Sequence, residues 1–211
     1  MPAPRRILFL GDSYTVGTGI LSEQSWPAQL VKRLNRRGAN LADPELIAMN
    51  GWTTGDLLEA LDRNAPAGPF DLVSILIGAN NQYQGRAMGE YRMHLAALVE
   101  RALGWVEHRA LRVLVVSIPD WGVSPFAEGR NRSEIGLEID DFNRVNLEEA
   151  GRRGVLYCGI TEISRAFADQ PETFADYGLH PNAAHYEAWL SKLYPFVNGI
   201  LGRTTAPLPP Q

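Results

Sequence analysis

Five short runs of apolar residues recur along the chain, and longer segments of mixed character separate them. A continuous apolar run of this length is typical of a strand that is covered on both faces, as in a parallel sheet. The pattern therefore predicts five buried strands, at residues 7–10, 46–49, 72–77, 113–117 and 155–158.

The segments between these runs repeat apolar residues every three or four positions, which is the spacing of one face of an α-helix. Between the third and fourth runs, Leu95, Leu98, Val99 and Ala102 fall on one such face. The periodicity predicts helices at residues 27–36, 54–61, 88–106, 135–152 and 182–201. We expect Pro195 to kink the last helix or end it early. Because strand and helix alternate, we expect a three-layer α/β domain built on a parallel sheet.

Length and composition describe an ordinary globular domain. The 211 residues suffice for one buried core, and 45% of them are hydrophobic and 21% charged. We expect a single domain over residues 1–203 and a flexible, proline-rich tail over residues 204–211. The single cysteine, Cys158, excludes an internal disulfide, and its apolar surroundings predict an unreactive buried side chain.

Charge and hydropathy limit the partners and the compartment. A net charge of −4 lacks the basic footprint of a nucleic-acid-binding protein. No apolar stretch is long enough to span a membrane, and the run at residues 7–10 is too short for the apolar region of a signal peptide. We therefore expect no nucleic-acid partner, no membrane insertion and a cytoplasmic location, and the oligomeric state stays open.

Four loops that should meet at the carboxyl edge of the sheet carry residues suited to chemistry. Ser13 follows the first strand, Gly51 the second and Asn80 the third, and His180 precedes the last helix. Each residue also has a structural explanation: a helix cap for Ser13, a turn for Gly51 and Asn80, and a surface or capping role for His180. Together they offer a nucleophile, two donors for a negatively charged oxygen and a general base.

In this order, the four blocks resemble the SGNH (also called GDSL) hydrolases over residues 5–201. The matching segments are Gly11-Asp12-Ser13, Gly51, Gly78-Ala79-Asn80 and His180-Pro181. The resemblance implies a flavodoxin-like α/β/α sandwich with a five-stranded parallel sheet in the order 2-1-3-4-5. It implies Ser13 as the nucleophile, His180 as its general base, and an oxyanion hole made by the backbone N–H groups of Ser13 and Gly51 and the amide of Asn80. It implies no metal and no organic cofactor.

Departures from the family pattern lie beside these residues. Asn81 stands where the family usually has aspartate, and Tyr177 occupies the position of the family's triad aspartate, three residues before the histidine. We expect Asp176, one residue earlier, to orient His180 as the third member of a triad. The alternative is a Ser–His dyad in which a backbone carbonyl, Tyr177 or water orients the histidine. A metal site formed by Asp176, His180 and His185 is a further alternative, although a helix brings together residues four apart rather than five.

The sequence therefore predicts a serine esterase that hydrolyses carboxylic esters through an acyl-serine intermediate. We expect short acyl or O-acetyl groups on a small-molecule or glycan substrate. The candidate pocket residues are Trp52, Asn81, Tyr83 and Trp121, although Trp121 and its neighbour Phe126 could instead only cover the edge of the sheet. Two other functions stay open: a binding protein that kept the fold and lost the chemistry, and a thioesterase or acyltransferase that uses the same residues.

Overall fold

The computed structural model describes residues 3–202 and contains a five-stranded, all-parallel sheet. The strands are β1 (Ile7–Gly11), β2 (Glu45–Ala48), β3 (Leu72–Leu76), β4 (Val113–Val116) and β5 (Leu156–Cys158). Their order is β2-β1-β3-β4-β5, which confirms the topology that the family resemblance implies. Each strand begins and ends within one residue of the apolar run that predicted it.

The helices within residues 3–202 include all five that the periodicity predicts. They are α1 (Ser13–Val16), α2 (Trp26–Asn35), α3 (Thr54–Arg63), α4 (Ala79–Tyr83), α5 (Met88–Trp105), α6 (Arg132–Arg153), α7 (Thr161–Arg165) and α8 (Ala183–Gly202). The expectation that Pro195 ends the last helix early is wrong, because α8 continues through it to Gly202. Leu193 and Val197, on either side of the proline, are fully buried, and this packing holds the helix together where one backbone hydrogen bond is missing.

Two layers of helices cover the sheet. α2 packs against α8, while α5 packs against both α3 and α6. The central strands β1, β3 and β4 are buried along their whole length, and the edge strands β2 and β5 are partly exposed. In register, Gly11 at the end of β1 pairs with Ala48 of β2 and Leu76 of β3. The loops that follow these three strands therefore start side by side at one edge of the sheet.

Three further expectations concern the chain as a whole. Cys158 is buried, and burial raises the pKa of its thiol to about 11, as expected for an unreactive side chain. Within the part of the chain that is described, no helix combines the length and apolar character needed to cross a lipid bilayer. The tail predicted at residues 204–211 lies outside the described residues.

Candidate active site

Ser13 is the first residue of α1 and comes directly after β1. The Asp12 side chain caps this short helix by accepting a hydrogen bond from the backbone N–H of Tyr14 at 3.0 Å. The capping role that the sequence left open for Ser13 therefore belongs to Asp12. Gly11 makes the tight turn possible, since a Cβ at this position would lie 2.5 Å from the carbonyl oxygen of Leu76.

His180 lies beside Ser13, with its Nε2 2.6 Å from the serine Oγ. Two backbone hydrogen bonds close the loop that carries the histidine: Ala175 N–H donates to the His180 carbonyl at 2.8 Å, and Gly178 N–H donates to the Ala175 carbonyl at 2.6 Å. Ser13 and His180 are only 6% and 5% exposed, so little water reaches the pair. An imidazole nitrogen at this distance is positioned to accept the serine proton.

The other ring nitrogen of His180 contacts Tyr177. The tyrosine hydroxyl oxygen lies 2.5 Å from Nδ1, and the hydroxyl donates to the carbonyl oxygen of Thr18 at 2.9 Å. Because the single hydroxyl proton is directed to Thr18, the oxygen is left to accept a hydrogen bond from Nδ1–H. In this arrangement of hydrogen bonds the ring proton is on Nδ1 and Nε2 is bare, which is the tautomer that a general base for Ser13 requires.

Asp176 does not contact His180, which corrects the expectation that it is the third member of a triad. Its side chain is exposed and makes no hydrogen bond or ion pair with any residue between 3 and 202. Adjacent residues in an extended or turning segment point in different directions, and Tyr177 faces the histidine. The contacts of His180 therefore match the dyad alternative in which Tyr177 lies against the histidine.

Burial sets the protonation states of His180 and Tyr177. It lowers the pKa of His180 to about 4 and raises the pKa of Tyr177 to about 12. At neutral pH both side chains are therefore uncharged, and the histidine is in the form that accepts a proton. Burial also raises the pKa of Asp12 to about 7, against the lowering effect of nearby backbone N–H groups.

Asn80 lies in the same cavity as Ser13 and His180. Its Nδ2 donates one hydrogen bond to the carbonyl oxygen of Trp52 at 3.0 Å. An amide nitrogen carries two hydrogens, so the second remains available as a donor. Gly51 precedes Trp52 and has a φ of +82°, a backbone conformation that favours glycine. Its predicted part in the oxyanion hole stays a prediction.

Two of the predicted pocket residues do not line the cavity. Asn81 is 1% exposed and holds Thr54 at the start of α3: its Oδ1 accepts from the Thr54 N–H and its Nδ2 donates to the Thr54 hydroxyl, both at 2.9 Å. Trp52 contributes its carbonyl group to Asn80 instead of its ring to the cavity. Both residues therefore fix the loops around the site.

The cavity itself has a volume of about 170 Å³. It is lined by Ser13, Tyr14, Ala79, Asn80, Tyr83, Trp121, Phe126, Leu179 and His180. Tyr83, Trp121 and Phe126 form an aromatic wall, with ring centroids 5.5 to 6.4 Å apart. The Tyr14 ring packs on the His180 ring at 4.8 Å. The predicted pocket positions of Tyr83 and Trp121 therefore agree with the cavity.

His185 lies away from this cavity. It is 1% exposed, and its ring packs against Phe167, Phe174 and Trp189 at centroid distances of 4.2, 5.3 and 6.0 Å. With Asp176 exposed and His185 among aromatic rings, the three residues of the metal alternative do not come together. Among the described residues, no group of three or more potential ligands is arranged to hold a metal ion.

One element of the site escaped sequence reasoning, namely the loop Gly17-Thr18-Gly19 that receives Tyr177. A Cβ at Gly19 would lie 2.5 Å from Cε1 of Tyr177, and Gly19 has a φ of +88°. The Thr18 hydroxyl in turn donates to Oδ1 of Asn50, next to Gly51. The closely spaced pair of glycines after the first predicted loop is the signal that could have indicated this loop.

Comparisons with known proteins agree with this fold and show the family to which the chain belongs. The chain belongs to the GDSL-like lipase/acylhydrolase family, whose model matches residues 9–188. It is therefore a hydrolase of the carboxylic ester class. It is 30% identical over 200 residues to GDSL lipase Rv0518 of Mycobacterium tuberculosis (strain ATCC 25618 / H37Rv), with 91% of this chain and 81% of the relative covered.

Solved structures with the same fold include TesA and Axe2. The chain matches the crystal structure of TesA with a TM-score of 0.73 and 22% identity, covering 93% of this chain and 99% of TesA. It matches Axe2, an acetylxylan esterase from Geobacillus stearothermophilus, with a TM-score of 0.71 and 20% identity, covering 95% of each chain. These matches support the same fold.

Proposed function

We propose that this protein is a serine esterase that hydrolyses esters of short acyl groups, O-acetyl groups among them, through an acyl intermediate on Ser13. One observation carries the proposal. The Ser13 Oγ lies 2.6 Å from Nε2 of His180, and that nitrogen is free of a proton when Tyr177 donates to Thr18 and accepts from Nδ1–H.

In the first half of the reaction, the Ser13 oxygen attacks the ester carbonyl carbon and its proton passes to Nε2 of His180. The carbonyl oxygen becomes an oxyanion, which the free hydrogen of the Asn80 amide and the backbone N–H groups of Ser13 and Gly51 would stabilise. When the tetrahedral intermediate collapses, the bond to the alcohol breaks and the proton on Nε2 passes to the leaving oxygen. The acyl group is then bound to Ser13.

In the second half, water takes the place of the alcohol. His180 accepts a proton from the water as the water oxygen attacks the acyl carbon. The bond to Ser13 then breaks, and the proton returns to the serine oxygen as the carboxylic acid leaves. The Tyr177 hydroxyl donates its hydrogen bond to the Thr18 carbonyl throughout. Its oxygen holds the imidazole in position by accepting from Nδ1–H.

The size of the cavity supports short acyl groups. An apolar cavity of roughly 150 Å³ holds a molecule the size of benzene. The cavity beside Ser13 has about 170 Å³ and is walled by aromatic rings. It therefore suits an acyl or alcohol group of a few carbon atoms more than a long fatty chain. The similarity to Axe2, an acetylxylan esterase, supports acetyl esters as a first class to test.

The test is the hydrolysis of p-nitrophenyl acetate by the wild type and by Ser13→Ala, with the exposed Ser22→Ala as the matched control. We expect Ser13→Ala to lower kcat by at least about 10³ and Ser22→Ala to leave it within about twofold. A fluorophosphonate should label Ser13, as read by mass spectrometry of the labelled peptide. Comparable rates in the wild type and Ser13→Ala would overturn the proposal.

Further measurements separate the esterase from a binding protein, a thioesterase and an acyltransferase. Failure of the fluorophosphonate to label Ser13, together with a raised melting temperature in the presence of a glycan ester, would identify a binding protein. Faster turnover of acyl-CoA than of oxygen esters, or transfer of the acyl group to an added alcohol, would identify a thioesterase or an acyltransferase.

A further inference from the structure

Arg130 lies over the aromatic wall of the cavity. Its guanidinium carbon is 5.4, 5.5 and 5.1 Å from the ring centroids of Tyr83, Trp121 and Phe126. All three rings line the cavity that contains Ser13 and His180, whereas Arg130 itself is exposed and lies outside the lining. A positive charge therefore lies against the aromatic rings that line the candidate active site.

The charge of Arg130 has no carboxylate partner within 4.0 Å among residues 3–202. Within the described part of the chain, its one hydrogen bond to a side chain is from Nη2 to the Tyr83 hydroxyl, at 3.4 Å. Arg165, by contrast, pairs with three carboxylates. Ring faces attract a guanidinium but leave most of its N–H donors unused. Arg130 therefore keeps free donors and a charge without a paired carboxylate beside the cavity.

The surface on which Arg130 rests is held in place by hydrogen bonds. Nε1 of Trp121 donates to Oε1 of Gln82 at 2.6 Å, and Nε2 of Gln82 donates to Oε2 of Glu138 at 2.6 Å. The backbone N–H of Arg130 donates to the carbonyl oxygen of Ala127 at 3.1 Å. The carboxylate of Glu138 is thus bonded to Gln82, and the Trp121 ring under the guanidinium of Arg130 is fixed in orientation.

We propose that Arg130 is a recognition site for a carboxylate on the substrate. The favoured substrates would be esters in which the group filling the aromatic cavity, about the size of a benzene ring, ends in a carboxylate. Arginine binds a carboxylate through two parallel N–H···O bonds, which fixes both distance and orientation. This proposal rests on the proposed function, because it names the substrate class of the same site.

The competing explanation is that Arg130 only clamps the three rings. Both explanations predict that Arg130→Ala loosens the wall, so a fall in overall activity does not separate them. Only a recognition site predicts a preference for a charged ligand over a neutral ligand of the same shape. The experiment therefore measures charge selectivity.

The first arm measures binding without turnover. Benzoate and its neutral isostere benzamide are titrated calorimetrically into Ser13→Ala, into Ser13→Ala/Arg130→Ala, and into the control Ser13→Ala/Arg132→Ala, which removes a second exposed arginine two residues away. We expect benzoate to bind about fivefold tighter than benzamide when Arg130 is present, and the preference to disappear only with Arg130→Ala. Equal affinities, or no measurable binding of benzoate, would overturn the recognition site.

The second arm distinguishes an acyl-side carboxylate from an alcohol-side one. Mono-p-nitrophenyl succinate is compared with p-nitrophenyl butyrate, and 4-acetoxybenzoate with phenyl acetate. We expect Arg130→Ala to lower the ratio of charged to neutral kcat/KM by about fivefold in one pair, with Arg132→Ala unchanged. Unchanged ratios in both pairs would refute the inference while hydrolysis of p-nitrophenyl acetate still upheld the esterase. An enzyme that hydrolyses no ester would count against the proposed function instead.

Discussion

At the scale of single residues, the partner of His180 is a phenol hydroxyl in place of a carboxylate. The hydroxyl fixes the orientation and tautomer of the imidazole, as the aspartate of a triad does. It brings no negative charge to stabilise the imidazolium that forms when Ser13 loses its proton. We therefore expect an active dyad whose rate depends on the hydroxyl of Tyr177 and is insensitive to the exposed carboxylate of Asp176.

Tyr177→Phe and Asp176→Asn test this directly. Phenylalanine keeps the ring but removes the hydrogen bond at Nδ1, and a hydrogen bond of about 1 kcal/mol corresponds to a loss of roughly five- to tenfold in kcat. We expect that loss for Tyr177→Phe with KM nearly unchanged, and no loss for Asp176→Asn. The reverse pattern in steady-state kinetics on p-nitrophenyl acetate would restore Asp176 as the orienting residue.

A companion variant, Tyr177→Asp, checks that the position acts through His180. A carboxylate beside the imidazole favours its protonated form and so raises its pKa. The pKa of His180 is lowered to about 4 in the wild type. In the variant, the acid limb of the pH profile of kcat/KM should therefore move to higher pH. A purely structural role for Tyr177 would leave the acid limb in place.

The sequence was sufficient to pick out Ser13, Asn80 and His180, because loops after parallel strands meet at one edge and the order of the residues is specific. It was not sufficient to choose between Asp176 and Tyr177. Which of two neighbouring side chains faces the histidine depends on the turn made by Gly178 and on the acceptor that Thr18 offers, and both are tertiary features.

At the scale of elements, the loop Gly17-Thr18-Gly19 decides whether Tyr177 can reach its partners. Gly19→Ala would place a Cβ 2.5 Å from Cε1 of Tyr177 at a φ of +88°. The matched control is Gly38→Ala, which has nearly the same φ of +86° but nothing within 4 Å of the added Cβ. The pair separates backbone strain from contact with Tyr177 and with Ala175, whose Cβ would lie 2.9 Å from the added Cβ.

We expect both glycine variants to lose about 1 kcal/mol of stability from the unfavourable backbone angle, and Gly19→Ala to lose more because the added Cβ also meets its neighbours. Only Gly19→Ala should also lower kcat, by an amount similar to Tyr177→Phe, because the ring must move. Urea denaturation and steady-state kinetics on the same preparations check this. Equal kcat values in the two variants would show that the loop does not hold the tyrosine.

The buried faces of helices and strands were predictable where the spacing of apolar residues determines them. They were less predictable where polar side chains are buried. On α6 the buried face includes the apolar Ile139, Phe142 and Val145 but continues through Asn146 and Glu149. The Asn146 side chain accepts from the buried Tyr91 hydroxyl, and the carboxylate of Glu149 pairs with Arg92. Such partners lie on another helix, and so apolar periodicity cannot reveal them.

At the scale of the whole molecule, two buried histidines link stability to pH. Burial lowers the pKa of both His180 and His185 to about 4, whereas an unfolded histidine titrates near 6.5. Below pH 6.5 the unfolded state therefore binds more protons, and stability falls as the pH falls towards 4. Asp12, with a pKa raised to about 7, acts in the opposite direction over the same range.

Because these contributions overlap, the prediction concerns a difference between two proteins. His185→Phe removes one titrating group from a site already lined by Phe167, Phe174 and Trp189. The free energy of unfolding of the variant, relative to the wild type, should increase on the order of 1 kcal/mol per pH unit as the pH falls below 6.5. Urea denaturation at a series of pH values measures it, and a constant difference would contradict it.

The arrangement around His180 also has a mechanical consequence. In the family pattern, the aspartate sits on the same loop as the histidine, so the two can shift together relative to the serine. Here the loop touches residues 13–18 at two separate points, His180 to Ser13 and Tyr177 to Thr18. A single contact would let the loop turn about that point, whereas two contacts resist such a turn, so we expect the base and the nucleophile to move together.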